Sequence, residues 1–119
     1  MSPLAPTPAR TGVSVELRAR FFRGLGNPTR LALLDALRAG ERCVNELVLA
    51  TGLGQSSVSG HLASLRACGL VEAREEWRHT YYRLAGPHVA HLLAETDLVL
   101  AVVAGRVAAC EGPEQDAER

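Results

Sequence analysis

Apolar residues recur at helical spacing along most of this chain, with strand-like character in one short stretch. Val58, Leu62 and Leu65 stand at i, i+4 and i+7, the spacing that lays one stripe of a helix on a core. On the same segment Gln55, Ser56, Ser59, Gly60, Ala63 and Arg66 face the other way. A helix is therefore expected from about Gln55 to Ala67. Before it, a short helix from about Cys43 to Ala50 turns Val44, Leu47 and Val48 inward, and Thr51-Gly52-Leu53-Gly54 makes the turn between the two. Further upstream, Ser14 caps a helix reaching about Leu25, with Gly24 and Gly26 ending it. Asn27 caps the next, Pro28 takes its first position, Leu31, Leu34 and Leu37 form its core stripe, and it runs through Ala39 to a stop at Gly40.

After the reading segment, β-favouring runs at 70–76 and 80–84 flank Trp77-Arg78-His79 and predict an antiparallel hairpin with Arg78 and His79 at its tip. Gly86-Pro87 opens a last helix to about Ala109 that is apolar on most sides. Such a helix must be buried, and in so short a chain a second copy is the expected cover. The pattern is mainly α with a small β-hairpin: a helix-turn-helix followed by a wing. Residues 1–12 read as a disordered arm, 13–110 as the winged helix-turn-helix DNA-binding and dimerisation domain, and 111–119 as a flexible acidic tail.

Composition adds three constraints. A chain of 119 residues is one domain, and 47% hydrophobic with 4% aromatic residues means a core of Leu, Val and Ala. The formal net charge is zero, but residues 1–66 hold eight arginines against four acids, while 111–119 hold four acids against one arginine. A basic body masked by an acidic tail suits a DNA-facing surface. A face of Gln, Ser and Arg with small residues suits groove reading. An ordinary solvated helix face would look similar, and the flanking turn and hairpin decide against it. No signal peptide or membrane-length apolar run is present, so a cytoplasmic protein is expected. Three cysteines in a reducing compartment do not make a disulfide framework.

The segments LGNPTRLALLDALRAGERCVNEL and TGLGQSSVSGHLASLRACGLVEARE, with a wing ending YYRLA, resemble the ArsR/SmtB family of winged-helix metal-sensing repressors. The resemblance runs from about Val15 to Ala109. It implies a homodimer paired through the first and last helices, operator binding by the helix near Gln55 to Ala67, and release of DNA when an inducer binds. Family inducer sites differ among members. One uses His and carboxylate pairs on the last helix; here His88, His91, Glu95 and Asp97 supply one part, but Val99, Val102 and Val103 occupy the region of the second pair, which disfavours a zinc, nickel or cobalt site. Another uses a cysteine pair at the start of the supporting helix; Cys43 matches one member and Asn45 replaces the other. The CmtR-like cadmium/lead pattern uses two cysteines four apart on the reading helix and a third near the C-terminus. Cys68 and Cys110 match that pattern, and Ser64 replaces the remaining cysteine.

Three thiolates, Cys43, Cys68 and Cys110, suit a soft ion such as Cd(II), Pb(II), Hg(II) or As(III). The alternative for each is a small buried apolar residue. The expected function is a dimeric repressor of double-stranded operator DNA, induced by such an ion and needing no organic cofactor or membrane. Gln55, Ser56, Ser57, Ser59, Gly60, His61 and Ser64 are expected against base edges or phosphates and Arg66 on phosphate. Arg78 and His79 are expected at the flanking backbone or minor groove. A thiol-redox or persulfide-responsive repressor keeps the same fold and is the alternative. A protein-interaction domain without DNA binding is disfavoured by the reading face. Enzymatic activity is not expected, since no nucleophile–base pair or phosphate loop stands out.

Overall fold

The computed structural model describes residues 12–110. The expected tail at 111–119 and all but the last residue of the expected arm lie outside the described residues. Five helices and three strands follow in the order α1 (Val15–Leu25), α2 (Pro28–Leu37), β1 (Arg42–Cys43), α3 (Val44–Thr51), α4 (Gln55–Ala67), β2 (Val71–Glu76), β3 (His79–Leu84) and α5 (Gly86–Ala109).

Local chemistry sets the helix starts. Ser14 Oγ accepts a hydrogen bond from the Leu17 N–H at 3.1 Å, and Asn27 Oδ1 accepts one from the Arg30 N–H at 3.0 Å. Each satisfies an amide that the helix leaves orphaned, a contribution of about 1 kcal/mol per cap. Three details differ from the pattern reading. Gly24 stays helical, and α1 ends at Gly26, whose N–H donates to the Phe22 carbonyl at 2.8 Å. The second helix ends at Leu37 rather than Ala39. Leu31 is not a core residue: it is 38% exposed, and Leu33 joins Leu34 and Leu37 in the core. The inward stripe is set by Leu33 and Leu37, one turn apart. Leu31 instead borders a shallow apolar groove with Phe22, Leu25, Leu92, Leu93 and Leu100.

The core gathers Leu33, Leu34 and Leu37 of α2, Leu47 of α3, Val58, Leu62 and Leu65 of α4, Leu70 and Val71 at the entry to β2, and Val89 and Leu93 of α5. Thus α2, α3 and α4 form a tight bundle, and the hairpin packs beside it. Sheet order is β1-β3-β2, all antiparallel. The hairpin register pairs Glu76 with His79, so only Trp77 and Arg78 form the turn, and His79 is the first residue of β3 rather than part of the tip. Arg42 and Cys43 pair with Tyr82 and Tyr81, adding a third strand to the expected hairpin. Two residues are too few to leave an alternation signal in the sequence.

The two outer helices are left largely uncovered. No residue of α1 is buried, and α5 buries only Val89 and Leu93. Leu98, Val99, Leu100, Val102 and Val107 stand exposed along the rest of α5, and Val15, Leu17, Phe21 and Phe22 along α1. Among the described residues no helix is long and apolar enough to cross a membrane.

Candidate nucleic-acid interface and thiol positions

The connection between α3 and α4 is built to hold one geometry. Gly52 caps α3 in the left-handed region at φ 74°, a conformation that side-chain-bearing residues rarely adopt. The Thr51 hydroxyl donates to the Leu47 carbonyl at 2.7 Å and accepts from the Leu53 N–H at 3.3 Å. Gly54 then caps α4. With Val58, Leu62 and Leu65 locked in the core, the opposite side of α4 is fixed in space. Gln55, Ser56, Ser57, Ser59, Gly60 and Arg66 are exposed on it, and Ser64 is half-buried. A side chain at Gly60 would meet open space, with no atom of the chain within 4 Å of its first carbon.

His61 sits differently from its neighbours. It is half-buried on the flank of α4 nearest α2, and its Nδ1 accepts a hydrogen bond from Arg30 Nε at 3.3 Å. The pair ties the reading helix to α2. Sequence spacing placed His61 on α4, but its link to a residue 31 positions away had no local signal.

The wing is organised by ion pairs. Arg74 donates from Nε and Nη2 to the Glu41 carboxylate at 3.0 and 2.7 Å and from Nη1 to Glu76, and it lies 5.1 Å from the Tyr81 ring centroid. Arg83 donates to Glu72 across the hairpin at 3.0 Å. The Arg74 guanidinium holds the Glu41 carboxyl below its ordinary value. At the tip Arg78 is exposed with φ 76°, and His79, which opens β3 beside it, is exposed as well.

Each cysteine stands at a helix end. Cys43 occupies the N-cap of α3, is 9% exposed, and its N–H donates to Glu46 Oε1 at 2.9 Å. Cys68 caps the C-terminus of α4 and Cys110 that of α5, and both are exposed. Cys68 lies where α4 meets α1, in two adjoining grooves that share Arg20 and Phe21. Among the described residues no three His, Cys, Asp or Glu side chains of one chain converge on a metal-sized site. The three cysteines are therefore not brought together within one copy. On α5, Asp97 pairs with Arg38 at 2.9 Å, which gives that carboxylate a structural partner.

Comparison with known proteins places this arrangement among regulators. The sequence profile described as "Bacterial regulatory protein, arsR family" matches residues 27–73. HTH-type transcriptional regulator CmtR of Mycobacterium tuberculosis is 44% identical over 103 residues, covering 81% of this chain and 87% of that protein. HTH-type transcriptional regulator Rv0324 of the same organism is 43% identical over 103 residues, 83% of this chain, which spans only 46% of that relative's length. A probable mercury resistance operon repressor of Streptomyces lividans is 45% identical over 75 residues, 63% of this chain and 60% of that protein. Among solved structures, M. tuberculosis Rv0081 superposes with TM-score 0.72 at 39% identity, covering 77% of this chain and 94% of the other. The homodimeric winged helix-turn-helix DNA-binding domain Mb0332 from Mycobacterium bovis gives 0.64 at 38%, covering 76% and 90%. The cadmium metal-sensor CmtR of M. tuberculosis gives 0.58 at 45%, covering 65% and 80%.

Proposed function

This chain belongs to the arsR family of bacterial regulatory proteins, a family of transcriptional regulators and not of enzymes, and from that premise we propose that it is a homodimeric repressor whose operator is released when a soft metal or metalloid ion binds cysteine thiolates. The observation that carries the reading is the division of α4: three fully buried apolar residues behind a fixed outward face of Gln55, Ser56, Ser57, Ser59 and Gly60, with an exposed thiol closing the same helix. Hydroxyl and amide groups at that face have the donors and acceptors that base edges and phosphates require. Arg66 on the same helix supplies charge for phosphate. The half-buried His61 serves as a brace to α2 more than as a reader.

Dimerisation follows from what α1 and α5 leave uncovered. A second copy supplies the missing apolar neighbours, and a twofold pair of reading helices matches successive major grooves. Thiolate donors fit the softness of Cd(II), Pb(II), Hg(II) or As(III). A ligand set larger than two then draws on both copies, because the described residues of one copy do not assemble it. Cys68 and Cys110 are the primary ligands in this reading, since both are exposed at helix ends. Cys43 is the weakest member, because it is nearly buried and serves as the N-cap of α3. A soft ion supplies cross-linking of thiolates, and linking the end of α4 to the end of α5 biases the dimer toward a spacing that no longer fits DNA. A coupling of about 1–3 kcal/mol is typical of allostery and suffices for release. A relative's mercury operon context and a structural neighbour's cadmium sensing support an ion as the signal.

The exposure of Cys68 and Cys110 to oxidants favours a second reading, in which thiol oxidation or persulfidation replaces the ion. One experiment separates the two. Reduced, anaerobic protein is titrated with Cd(II), Pb(II), Hg(II) and As(III) while thiolate-to-metal absorption and anisotropy of a selected operator duplex are followed together. Saturable absorption with parallel loss of DNA binding is expected, and Cys68→Ser or Cys110→Ser keeps DNA affinity while losing the ion response. If the double variant still releases DNA on ion addition, the thiol assignment is wrong. Release by persulfide alone selects the second reading.

A further inference from the structure

The wing tip carries a large aromatic side chain that neither the core nor the reading face uses. Trp77 is the sole tryptophan of the chain and is 79% exposed. Arg78 lays its guanidinium over the indole, with Cζ 4.5 Å from the ring centroid. The backbone supports that stack at a cost: Arg78 holds φ 76°, in a two-residue hairpin connection where Gly or Asn is the usual choice. An unfavourable backbone conformation and an indole left in water are both retained at one tip.

Charge on the wing narrows what the stack is for. Arg74 is held by Glu41 and Glu76, and Arg83 by Glu72. Among the described residues Arg78 has no carboxylate partner, so it is the wing arginine open to an anion from outside the chain. We propose that Trp77 is a positioning residue that holds Arg78 flat for a phosphate of the DNA backbone flanking the bases faced by α4, and that the tip stays out of the minor groove. The inference rests on the DNA-binding reading above and assigns the wing's mode of contact. Bulk favours backbone over groove. With its Cζ 4.5 Å from the indole centroid, the tip presents an arginine backed by a bicyclic ring, bulkier than the lone extended arginine that a B-DNA minor groove about 6 Å wide admits. Stacking also restricts a rotamer-rich side chain before it meets phosphate, which lowers the entropy lost on contact.

The test uses the full chain, a fluorescein-labelled duplex of mixed sequence and the selected operator duplex, with anisotropy followed across a series of NaCl concentrations. Arg78→Ala is expected to weaken binding to both duplexes by the same factor and to reduce the slope of log affinity against log salt by about one. Arg78→Lys restores the slope without the full affinity, because an ammonium lacks the flat stacking face. Trp77→Ala keeps the charge and loses about two- to fivefold in affinity, Trp77→Phe recovers most of it, and thermal melting is unchanged for both. In the double variant the tryptophan effect vanishes, since it acts through Arg78. An unchanged salt slope in Arg78→Ala, loss of discrimination between the two duplexes, or simple additivity of the two substitutions overturns the proposal. Wild-type protein that binds neither duplex overturns the DNA-binding reading and this inference with it. Wild-type binding that no tip substitution alters overturns this inference alone.

Discussion

At the scale of single residues, Gly60 is the sharpest test of what the outward face of α4 does. A glycine inside a helix costs about 1 kcal/mol relative to alanine, and the added methyl would meet no atom of this chain. Gly60→Ala should therefore raise stability by about 0.5–1 kcal/mol in thermal or urea unfolding. If α4 lies in a groove, the same methyl meets DNA and operator affinity falls in the anisotropy assay. A variant that is more stable and binds equally well would remove Gly60 from the interface. The stripe of Val58, Leu62 and Leu65 was legible from spacing alone, because all three project from one face at helical period and all three are buried. His61 shows where spacing stops. Its angular position on α4 is a local property, but the Arg30 side chain that accounts for its orientation comes from another helix. The same limit applies to Cys43, Cys68 and Cys110: their residue type suggested soft-ion chemistry, while their placement at three separate helix ends is a tertiary fact.

Among elements, the wing is held together by the six-residue pairing of β2 with β3 and is tied back to the segment just before β1 by the link from Arg74 to Glu41. That link was invisible in the sequence, since 33 positions separate its partners and β1 is only two residues long. The turn between α3 and α4 was legible for the opposite reason, because its Gly-Leu-Gly chemistry is contained within the segment itself. Glu41 provides a pH test. The Arg74 hydrogen bond lowers its carboxyl below the ordinary value of 4.5, so its contribution to stability is present above that value and is lost as pH falls through the lower, folded one. Glu41→Gln should melt below wild type at neutral pH, and the two curves should converge in acid. A difference that persists at low pH would mean that the substitution acts through something other than this ion pair. Salt should narrow the neutral-pH difference, since Arg74 is exposed and Glu41 is only half-buried.

As a whole molecule, the described chain is extended rather than rounded. Its Cα radius of gyration is 16.4 Å, against about 13 Å for a globule of roughly one hundred residues. The excess fits α5, which leaves the body after Leu93 with its apolar side chains uncovered. Val102, 83% exposed, is the probe. Val102→Asp places a carboxylate in the proposed dimer seam and should turn the protein monomeric in sedimentation, with operator affinity down at least about tenfold, while α2 to α4 keep their fold. A dimer that survives the substitution would move the interface elsewhere. The uncovered length of α5 also bears on supply inside a cell. If α5 is covered by a second copy as proposed, a chain newly released from the ribosome has no cover for that helix until it meets its partner, so proteases compete with pairing for every fresh chain. Under that arrangement, synthesis that is too slow lowers the standing pool more than proportionally, and a gene under the proposed control reads out not just an inducer but the rate at which its repressor is made.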